Sequence, residues 1–265
     1  MREVQQNSLV YLCADHIETP HCFTTRYGGV SEGNLASMNI GTHRGDKPEN
    51  VLKNYHILGD TLGFDTKKLV LTKQTHTDIV RVVTQKDWGT GLEREEFPPC
   101  DGLVTNTPGT ALVVFSADCT PLLLWDAVTG AVGAVHAGWR GTATQIGAKA
   151  VQAMVENFGS EAKNIRAAIG PNIGPCCFQT DADVPEAMLE AFGEAAQSHI
   201  RQAGEKYYVN LKALNALSLQ RAGVESIDIS EECTMCNPQK YWSARVHGDS
   251  RGAQGAIILC QEAGK

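Results

Sequence analysis

The chain has 265 residues, of which 42% are hydrophobic, and a formal net charge of −7 at pH 7. This length is close to the upper limit for one hydrophobic core, so we expect a single domain over 1–265. The negative charge argues against a nucleic-acid-binding surface, which normally carries a basic patch. The sequence contains no apolar run of about 18 residues that could span a membrane. The N-terminus also lacks the basic-then-apolar pattern of a signal peptide, which predicts a cytoplasmic protein.

The first elements along the chain alternate between strands and one helix. A strand is expected at 23–31, where it runs into a glycine turn. A helix is expected after Asp46 as N-cap, with Pro48 in its first turn and Glu49 completing a capping box. Its apolar stripe at helical spacing comprises Val51, Tyr55, Leu58 and Leu62. Strands at 68–71 and 79–83 follow, and the turn between them contains His76.

The middle and end of the chain mix strands with helices. The apolar runs 111–115, 121–125 and 131–136 are nearly continuous, which predicts strands buried on both faces. A helix is expected at 142–158 with Gly159 as its C-cap. Further strands are expected at 165–169 and 255–260, and further helices at 184–192 and 211–222. Because strands and helices do not alternate strictly, we predict an α+β fold, a single compact domain with mixed β-sheets flanked by helices.

Three residues that could bind a metal lie where the predicted apolar strands end. His76 lies in the motif KQTHTD, Cys119 in SADCTP and His136 in AVHAGWRG. One thiolate and two imidazoles are the protein ligands of some catalytic zinc sites, which leave a fourth position open. Spacing alone does not show that the three turns converge, so this convergence is a hypothesis.

Two further cysteine pairs carry weaker signals. The chain has nine cysteines, an odd number without the spacing of a small disulfide scaffold. Cys233 and Cys236 form a Cys-x-x-Cys pair, which without a second pair is a weak zinc signal. Cys176 and Cys177 are adjacent in a loop rich in glycine and proline, for which packing or a substrate wall is the favoured interpretation.

These motifs together resemble the YfiH-like family, whose members carry the names multicopper polyphenol oxidase (laccase-like) and purine nucleoside phosphorylase. The resemblance covers nearly the whole chain. It rests on the motifs TTRYGGVS (24–31), SMNIG (37–41), QTH (74–76), DGLVT (101–105), ADCTP (117–121), HAGWRGT (136–142), IGP (169–171), CFQ (177–179) and SAR (243–245). It implies a fold related to that of cytotoxic necrotising factor.

The resemblance also implies an activity and a site. It implies phosphorolysis of adenosine, inosine, guanosine and methylthioadenosine, and deamination of adenosine, by a monomer or homodimer. The implied metal ligands are His76, Cys119 and His136, which would bind zinc, with copper as a possible substitute. These three residues and Asp118 are the catalytic candidates, and Asp101 is a second candidate acid. The candidates for contacts with the nucleoside or with phosphate are Arg26, Asn39, Gln74, Arg140, Gln179 and Arg245.

Two departures from the family pattern concern charged positions. This chain has Tyr55 where the pattern commonly places arginine. Near the C-terminus the pattern usually reads Phe-Ser-Tyr-Arg-Arg, whereas this chain has Trp-Ser-Ala-Arg-Val at 242–246, so the second arginine is missing.

Three other functions are open at the level of sequence. The first is a metal-free cysteine hydrolase that cleaves an amide in a cell-wall precursor, with Cys119 as nucleophile and His136 as base. The second is a copper-dependent polyphenol oxidase, although a multicopper centre needs more histidines than the two in these motifs. The third is a non-catalytic binding module.

Overall fold

Three β-sheets and six α-helices are formed by residues 1–262, the part of the chain that the computed structural model describes. The last three residues of the predicted domain 1–265 lie outside this part. The strands are β1 (Arg2–Gln6), β2 (Leu9–Cys13), β3 (His21–Thr24), β4 (Leu69–Leu71), β5 (Val80–Val82), β6 (Gly102–Thr105), β7 (Ala111–Ser116), β8 (Thr120–Asp126), β9 (Val132–Ala137), β10 (Ile165–Ile169), β11 (Gln179–Thr180), β12 (Ile200–Ala203), β13 (Lys206–Val209), β14 (Ser226–Ile229) and β15 (Gln254–Leu259). The helices are α1 (Pro48–Leu62), α2 (Trp139–Ala143), α3 (Ile146–Phe158), α4 (Asp183–Phe192), α5 (Leu211–Arg221) and α6 (Ala244–His247).

Both large sheets have six strands and mixed direction. Sheet 1 has the order β1-β2-β3-β15-β7-β4, and sheet 2 has the order β14-β10-β8-β9-β6-β5. Sheet 3 is smaller, with the order β11-β13-β12. Within sheet 2, β8 and β9 are antiparallel, β9 and β6 are antiparallel, and β10 and β14 are parallel. The start of β8, the end of β9, the start of β6 and the ends of β10 and β14 therefore lie at one end of sheet 2, which we call the functional end.

The two large sheets pack face to face, and helices cover their outer faces. Because successive side chains of a strand point to opposite faces, Leu112 and Val114 of β7 join the core between the sheets, while Ala111 and Val113 face α1. On the other side, α3 and α5 cover sheet 2 over a separate buried cluster. The layers are thus helix, sheet, sheet and helix, which confirms the predicted α+β fold with mixed sheets and flanking helices.

The start of α1 differs from the prediction. Lys47 is the N-cap and makes no side-chain capping bond. The Asp46 carboxylate instead accepts hydrogen bonds from the Lys47 backbone N–H and from Asn39 Nδ2. The predicted capping box of Asp46 and Glu49 is therefore wrong, because the Asp46 side chain is taken by the preceding loop. Tyr55, where the family pattern has arginine, is fully buried, and its hydroxyl donates to the Ile40 carbonyl.

The predicted helix 142–158 is two helices in the structure. Helix α2 begins earlier, at Trp139, and α3 begins at Ile146. Between them Gln145 adopts a left-handed backbone with φ of 56°, and an α-helix cannot continue through such a residue. Ile146, Ala150 and Met154, which recur at helical spacing, are buried as that spacing predicts, but the spacing gave no sign of this break. Within the described residues, no helix is both long and apolar enough to cross a bilayer.

Candidate metal centre between two pockets

The strand register of sheet 2 brings His136 against Asp101. His136 lies near the end of β9, and its backbone N–H donates to the Asp101 carbonyl, which directly precedes β6. The two side chains lie on the same face of the sheet, where His136 Nδ1 is 2.7 Å from Asp101 Oδ1. Asp101 is fully buried and His136 is 4% exposed. This hydrogen bond fixes the orientation of the imidazole and directs Nε2 away from the carboxylate.

The same carboxylate holds the turn that carries His76. Asp101 accepts hydrogen bonds from the backbone N–H groups of Thr75, His76 and Thr77 and from the Thr77 hydroxyl, at 2.7 to 3.3 Å. His76 adopts a left-handed backbone with φ of 63°, which is uncommon for a residue with a side chain. The turn is therefore held in an unfavourable conformation by a buried anion, and it projects the His76 ring towards His136.

Cys119 completes a group of three potential metal ligands. It precedes β8, next to β9 in the sheet, and its Sγ lies 3.7 Å from His76 Nε2. The rings of His76 and His136 meet edge to face with centroids 5.1 Å apart. One donor atom from each of the three residues lies within 4.8 Å of the others. The three turns thus converge, and a soft thiolate with two imidazoles is a donor set that suits zinc.

The electrostatics of the group favour the thiolate form of Cys119. Burial of the thiol raises its pKa and is the largest single influence, but the charges and hydrogen bonds of His136 and His76 together lower the pKa to about 6. For His136, burial lowers the pKa, but the Cys119 thiolate and the Asp101 carboxylate together raise it to about 9. A thiolate is the form of cysteine that binds metals and acts as a nucleophile.

Gly138 leaves the space that His76 occupies. A Cβ at this position would lie 2.6 Å from Cδ2 of His76 and 3.4 Å from Sγ of Cys119. The backbone of Gly138 has φ of −67°, which any residue can adopt. The requirement for glycine here is therefore one of space at the candidate metal centre.

Two cavities meet at the three candidate ligands. The first, which we call the aromatic pocket, has a volume of about 290 Å³ and is lined by His76 and Cys119 together with Trp139, Phe178 and other residues. The second, which we call the arginine pocket, has a volume of about 180 Å³ and is lined by all three candidate ligands. The candidate metal centre therefore faces an apolar cavity on one side and a basic cavity on the other.

Arg44 and Arg251 make the second cavity basic. Both line the arginine pocket, and their charges interact with each other. Arg44 makes no hydrogen bond within the described residues, whereas Arg251 donates from Nη1 to the Gly248 carbonyl. Arg44 was not predicted as a site residue, because its loop has no recognisable motif.

Arg140 lines the aromatic pocket, the position expected for a residue that contacts substrate. Its guanidinium stacks on the Trp139 ring at 4.1 Å and makes no hydrogen bond within residues 1–262. Arg140 is thus available to bind an anion.

Arg26 and Asn39, by contrast, have their polar groups engaged elsewhere. Arg26 donates to the carbonyls of Pro238 and Ala36 and stacks on Trp242. Asn39 is fully buried, and its Oδ1 accepts the backbone N–H groups of Gly41 and Ala253. These contacts connect loops, and neither residue lines the two pockets.

Of the three remaining candidates, Gln74 lines a pocket, whereas Gln179 and Arg245 are exposed. Gln74 lines the arginine pocket, but its amide exchanges hydrogen bonds with the backbone of Phe115. Arg245 is exposed and donates to the backbone carbonyl of Gln179 at 2.9 Å. The Gln179 side chain is exposed at the start of β11.

Asp118 lines the aromatic pocket, and both oxygens of its carboxylate accept hydrogen bonds. It accepts hydrogen bonds from the hydroxyls of Thr234 and Ser243 and from the Arg245 backbone N–H. Asp118 itself has a left-handed backbone with φ of 89°. We therefore assign it to positioning the Cys119 turn, and its predicted part in proton transfer stays a prediction.

The six other histidines do not extend the centre. Within residues 1–262, the groups able to hold a metal are His76, Cys119 and His136, and a separate set of four cysteines. Three of the other histidines bond to the backbone: His16 to that of Ala167, His21 to that of Ala14 and Thr19, and His247 to that of Ser243. The described residues do not assemble the several histidines of a multicopper centre.

The fold and the site define an α+β protein with a candidate His-Cys-His metal centre. The family model described as multi-copper polyphenol oxidoreductase laccase matches residues 20–261. The sequence is 36% identical to purine nucleoside phosphorylase YlmD of Bacillus subtilis over 245 residues, which cover 91% of this chain and 88% of that protein. The chain therefore belongs to the YfiH-like family, as the motifs predicted.

A solved structure and a relative named for a different activity are also similar to this chain. The crystal structure of YlmD from Geobacillus stearothermophilus superposes with a TM-score of 0.92 at 32% identity, covering 98% of this chain and 99% of that one. Adenosine deaminase RL5, from an unknown prokaryotic organism, is 34% identical over 245 residues, which cover 90% of this chain and 93% of that protein.

The first prediction concerns the space beside His76. Replacing Gly138 with alanine places a methyl group against the His76 ring, so we expect zinc affinity to fall by about tenfold or more while the fold is retained. Competition with a chromophoric chelator measures the affinity, and circular dichroism checks the fold. Gly141→Ala is the matched control, because its nearest contact is a side-chain methyl of Ile146 at 3.3 Å. Unchanged zinc affinity in Gly138→Ala would contradict the convergence of the three ligands.

The second prediction concerns the Asp101 carboxylate. In Asp101→Asn an NH₂ group, which can only donate hydrogen bonds, replaces a carboxylate oxygen that accepts them from neighbouring donors. We therefore expect zinc affinity to fall by about 10- to 100-fold. We also expect the free energy of unfolding to fall by about 1–3 kcal/mol, the cost of an unsatisfied buried group. Zinc competition and urea unfolding measure the two effects. Asp126→Asn, at the far end of β8 and equally buried, should leave zinc affinity unchanged. Equal zinc affinities in the two variants would rule out the positioning role of Asp101.

Proposed function

We propose that this protein is a zinc-dependent purine nucleoside phosphorylase that also deaminates adenosine. The proposed substrates are adenosine, inosine, guanosine and methylthioadenosine, with phosphate as the second substrate of phosphorolysis. The observation that carries the proposal is the position of three converging metal ligands between an aromatic pocket and an arginine pocket. The names of the relatives, which include purine nucleoside phosphorylase and adenosine deaminase, support it.

The proposed metal ligands are His76, Cys119 and His136. Zinc suits their donor atoms and their separation, and copper is the alternative that metal analysis would detect. When bound, the ion supplies a Lewis acid beside both pockets. The Asp101 carboxylate orients His136 and holds the His76 turn, so the three donors are positioned before a metal arrives.

The aromatic pocket suits the purine base. Trp139 and Phe178 offer flat apolar surfaces, and Ile173 and Leu211 complete the apolar lining. Planar bases bind such surfaces by stacking and by burial of apolar area. Besides the candidate ligands, Thr75, Asp118 and Arg140 contribute polar side chains to the lining of this pocket.

The arginine pocket suits phosphate. Phosphorolysis breaks the bond between a purine nitrogen and C1′ of the ribose and forms a bond from C1′ to a phosphate oxygen. The phosphate must therefore be held beside the sugar, next to the base pocket. Arg44 and Arg251 lie there, and guanidinium groups bind phosphate oxygens through paired N–H donors. Arg140, on the side of the base pocket, is the third cation within reach of the substrates.

The third prediction tests the metal dependence of the activity. In His76→Ala we expect loss of the zinc ion of the His-Cys-His centre, about one ion per chain, and of both phosphorolysis and deamination, because one of the three ligands is missing. The measurements are elemental analysis and turnover of adenosine with and without phosphate, with and without chelator. His56→Ala, which removes an exposed histidine of α1, should retain metal and activity. Normal turnover by a His76→Ala protein, or by the chelated wild type, would refute zinc dependence.

A metal-free cysteine hydrolase is the second candidate function. The hydrogen bond from His136 to Asp101 and the lowered pKa of Cys119 form the chain of nucleophile, base and orienting carboxylate that such enzymes use. In that case His76 is dispensable, and iodoacetamide would inactivate the protein equally with and without chelator. If amide hydrolysis survives in His76→Ala while nucleosides are untouched, the second function replaces the first.

The fourth prediction separates phosphate binding from the rest of the site. Arg44→Ala should raise the KM for phosphate about 10- to 100-fold, which corresponds to the ~1.5–3 kcal/mol of a hydrogen bond to a charged group. Deamination, which consumes no phosphate, should change by less than about threefold. Arg201→Ala, an exposed arginine of sheet 3 stacked on Tyr208, is the control. Equal losses of both activities would show that Arg44 does not belong to a phosphate subsite.

A further inference from the structure

Four cysteines outside the candidate metal centre meet at the functional end of sheet 2. Cys176 and Cys177 lie in the loop after β10, and Cys233 and Cys236 lie in the segment after β14. Because β10 and β14 are parallel neighbours, with Ile169 paired to Ile229, both segments leave the sheet at the same end. The two cysteine pairs, each of which alone is a weak indication of a zinc site, are thus brought together by the sheet topology.

The sulfur atoms have the separations of a tetrahedral metal site. The four Sγ atoms all lie within 4.8 Å of one another. Cys236 Sγ is 3.6 Å from Cys176 Sγ and 3.4 Å from Cys177 Sγ. With zinc–sulfur bonds of about 2.3 Å, neighbouring sulfurs of a tetrahedron are about 3.8 Å apart, whereas the sulfurs of a disulfide are about 2.05 Å apart. The observed distances match the metal site better than the disulfide.

A backbone N–H group and a buried ammonium group lie beside the cluster. The Gly174 backbone N–H donates to Cys233 Sγ at 3.1 Å. The buried ammonium group of Lys212 interacts electrostatically with Cys233 and Cys176. Its Nζ is held by the carbonyls of Ser230 and Glu232, each at 2.6 Å. Four thiolates around one divalent ion carry a net charge of −2, and a fixed buried cation beside them offsets part of it.

We propose that Cys176, Cys177, Cys233 and Cys236 bind a second zinc ion, in a closed structural site separate from the His-Cys-His centre. All four positions are filled by protein ligands, which is the arrangement of structural and not of catalytic zinc. The assignment of this site does not depend on the proposed nucleoside chemistry, so either proposal can be wrong while the other is correct.

The second ion joins two segments that shape the aromatic pocket. Ile173 and Phe178, on either side of the adjacent cysteines, line that pocket. In the other segment, the Thr234 backbone N–H donates to the Asn172 carbonyl, and the Thr234 hydroxyl donates to Asp118, next to Cys119. Binding of the ion therefore fixes the pocket wall and supports the turn that carries the first centre.

The test, which is the fifth prediction, uses Cys119→Ala, which removes the only sulfur of the first centre. This variant, purified with zinc, should retain about one zinc ion per chain, and replacement by cobalt(II) should give the sulfur-to-metal charge-transfer absorption of a thiolate site. Adding Cys236→Ser should abolish both signals. Cys13→Ser in the same background is the matched control, because the hydroxyl can keep the hydrogen bond that Cys13 Sγ donates to the His21 carbonyl.

A labelling experiment covers the case in which Cys236→Ser does not fold. Cys176 and Cys236 are exposed, so in Cys119→Ala iodoacetamide should alkylate them slowly with zinc bound and at least about tenfold faster after chelation, because the free thiolate is the reactive form. Mass spectrometry of the peptides gives the rates. Folded Cys119→Ala protein without zinc, labelling rates that do not respond to zinc, or a disulfide that includes Cys236 in unreduced protein would each overturn the proposal.

Discussion

One buried carboxylate, that of Asp101, organises the candidate metal centre. It accepts a hydrogen bond from His136 Nδ1 on one side, and hydrogen bonds from three backbone N–H groups and a hydroxyl of the His76 turn on the other. A buried anion is tolerated only when donors surround it, and here the donors belong to the two elements that must be aligned. The cost of burying Asp101 is therefore offset by the hydrogen bonds that place both imidazoles. Cys119 is placed by the register of β8 and β9 and by the hydrogen bonds of the neighbouring Asp118 carboxylate.

Much of this arrangement could be predicted from the sequence. The apolar runs at β7, β8, β9 and β10 indicate buried strands because each is short and lacks alternation. The polar residues that interrupt them, Cys119 and His136, then lie at strand ends, where ligands commonly bind. The motifs around them also indicated the family. The fold class and the family, which local patterns indicate, were confirmed, whereas the catalytic roles of these residues stay a prediction.

Other features depend on contacts between distant segments. Asp101 could be nominated as an acid, but its role in orienting His136 follows from the register of β6 and β9, which no local pattern specifies. Arg44 has no motif around it and reaches the arginine pocket only because its loop packs beside Arg251. Arg26 and Asn39 carried the family pattern, yet their hydrogen bonds connect loops. The break at Gln145 was likewise not predicted, because the apolar stripe of the expected helix begins only at Ile146 and gives no information on the residues before it.

The spread of the three ligands along the chain also couples metal loading to folding. His76 and Cys119 are 43 positions apart in sequence, so an unfolded chain would have to close a large loop before it could offer both donors to one ion. The ion in the proposed enzyme therefore binds the native state almost exclusively. By mass action, each tenfold rise in free metal above its dissociation constant adds about 1.4 kcal/mol to the free energy of unfolding. The concentration of free metal would then set the lifetime of the folded protein as well as its catalytic rate.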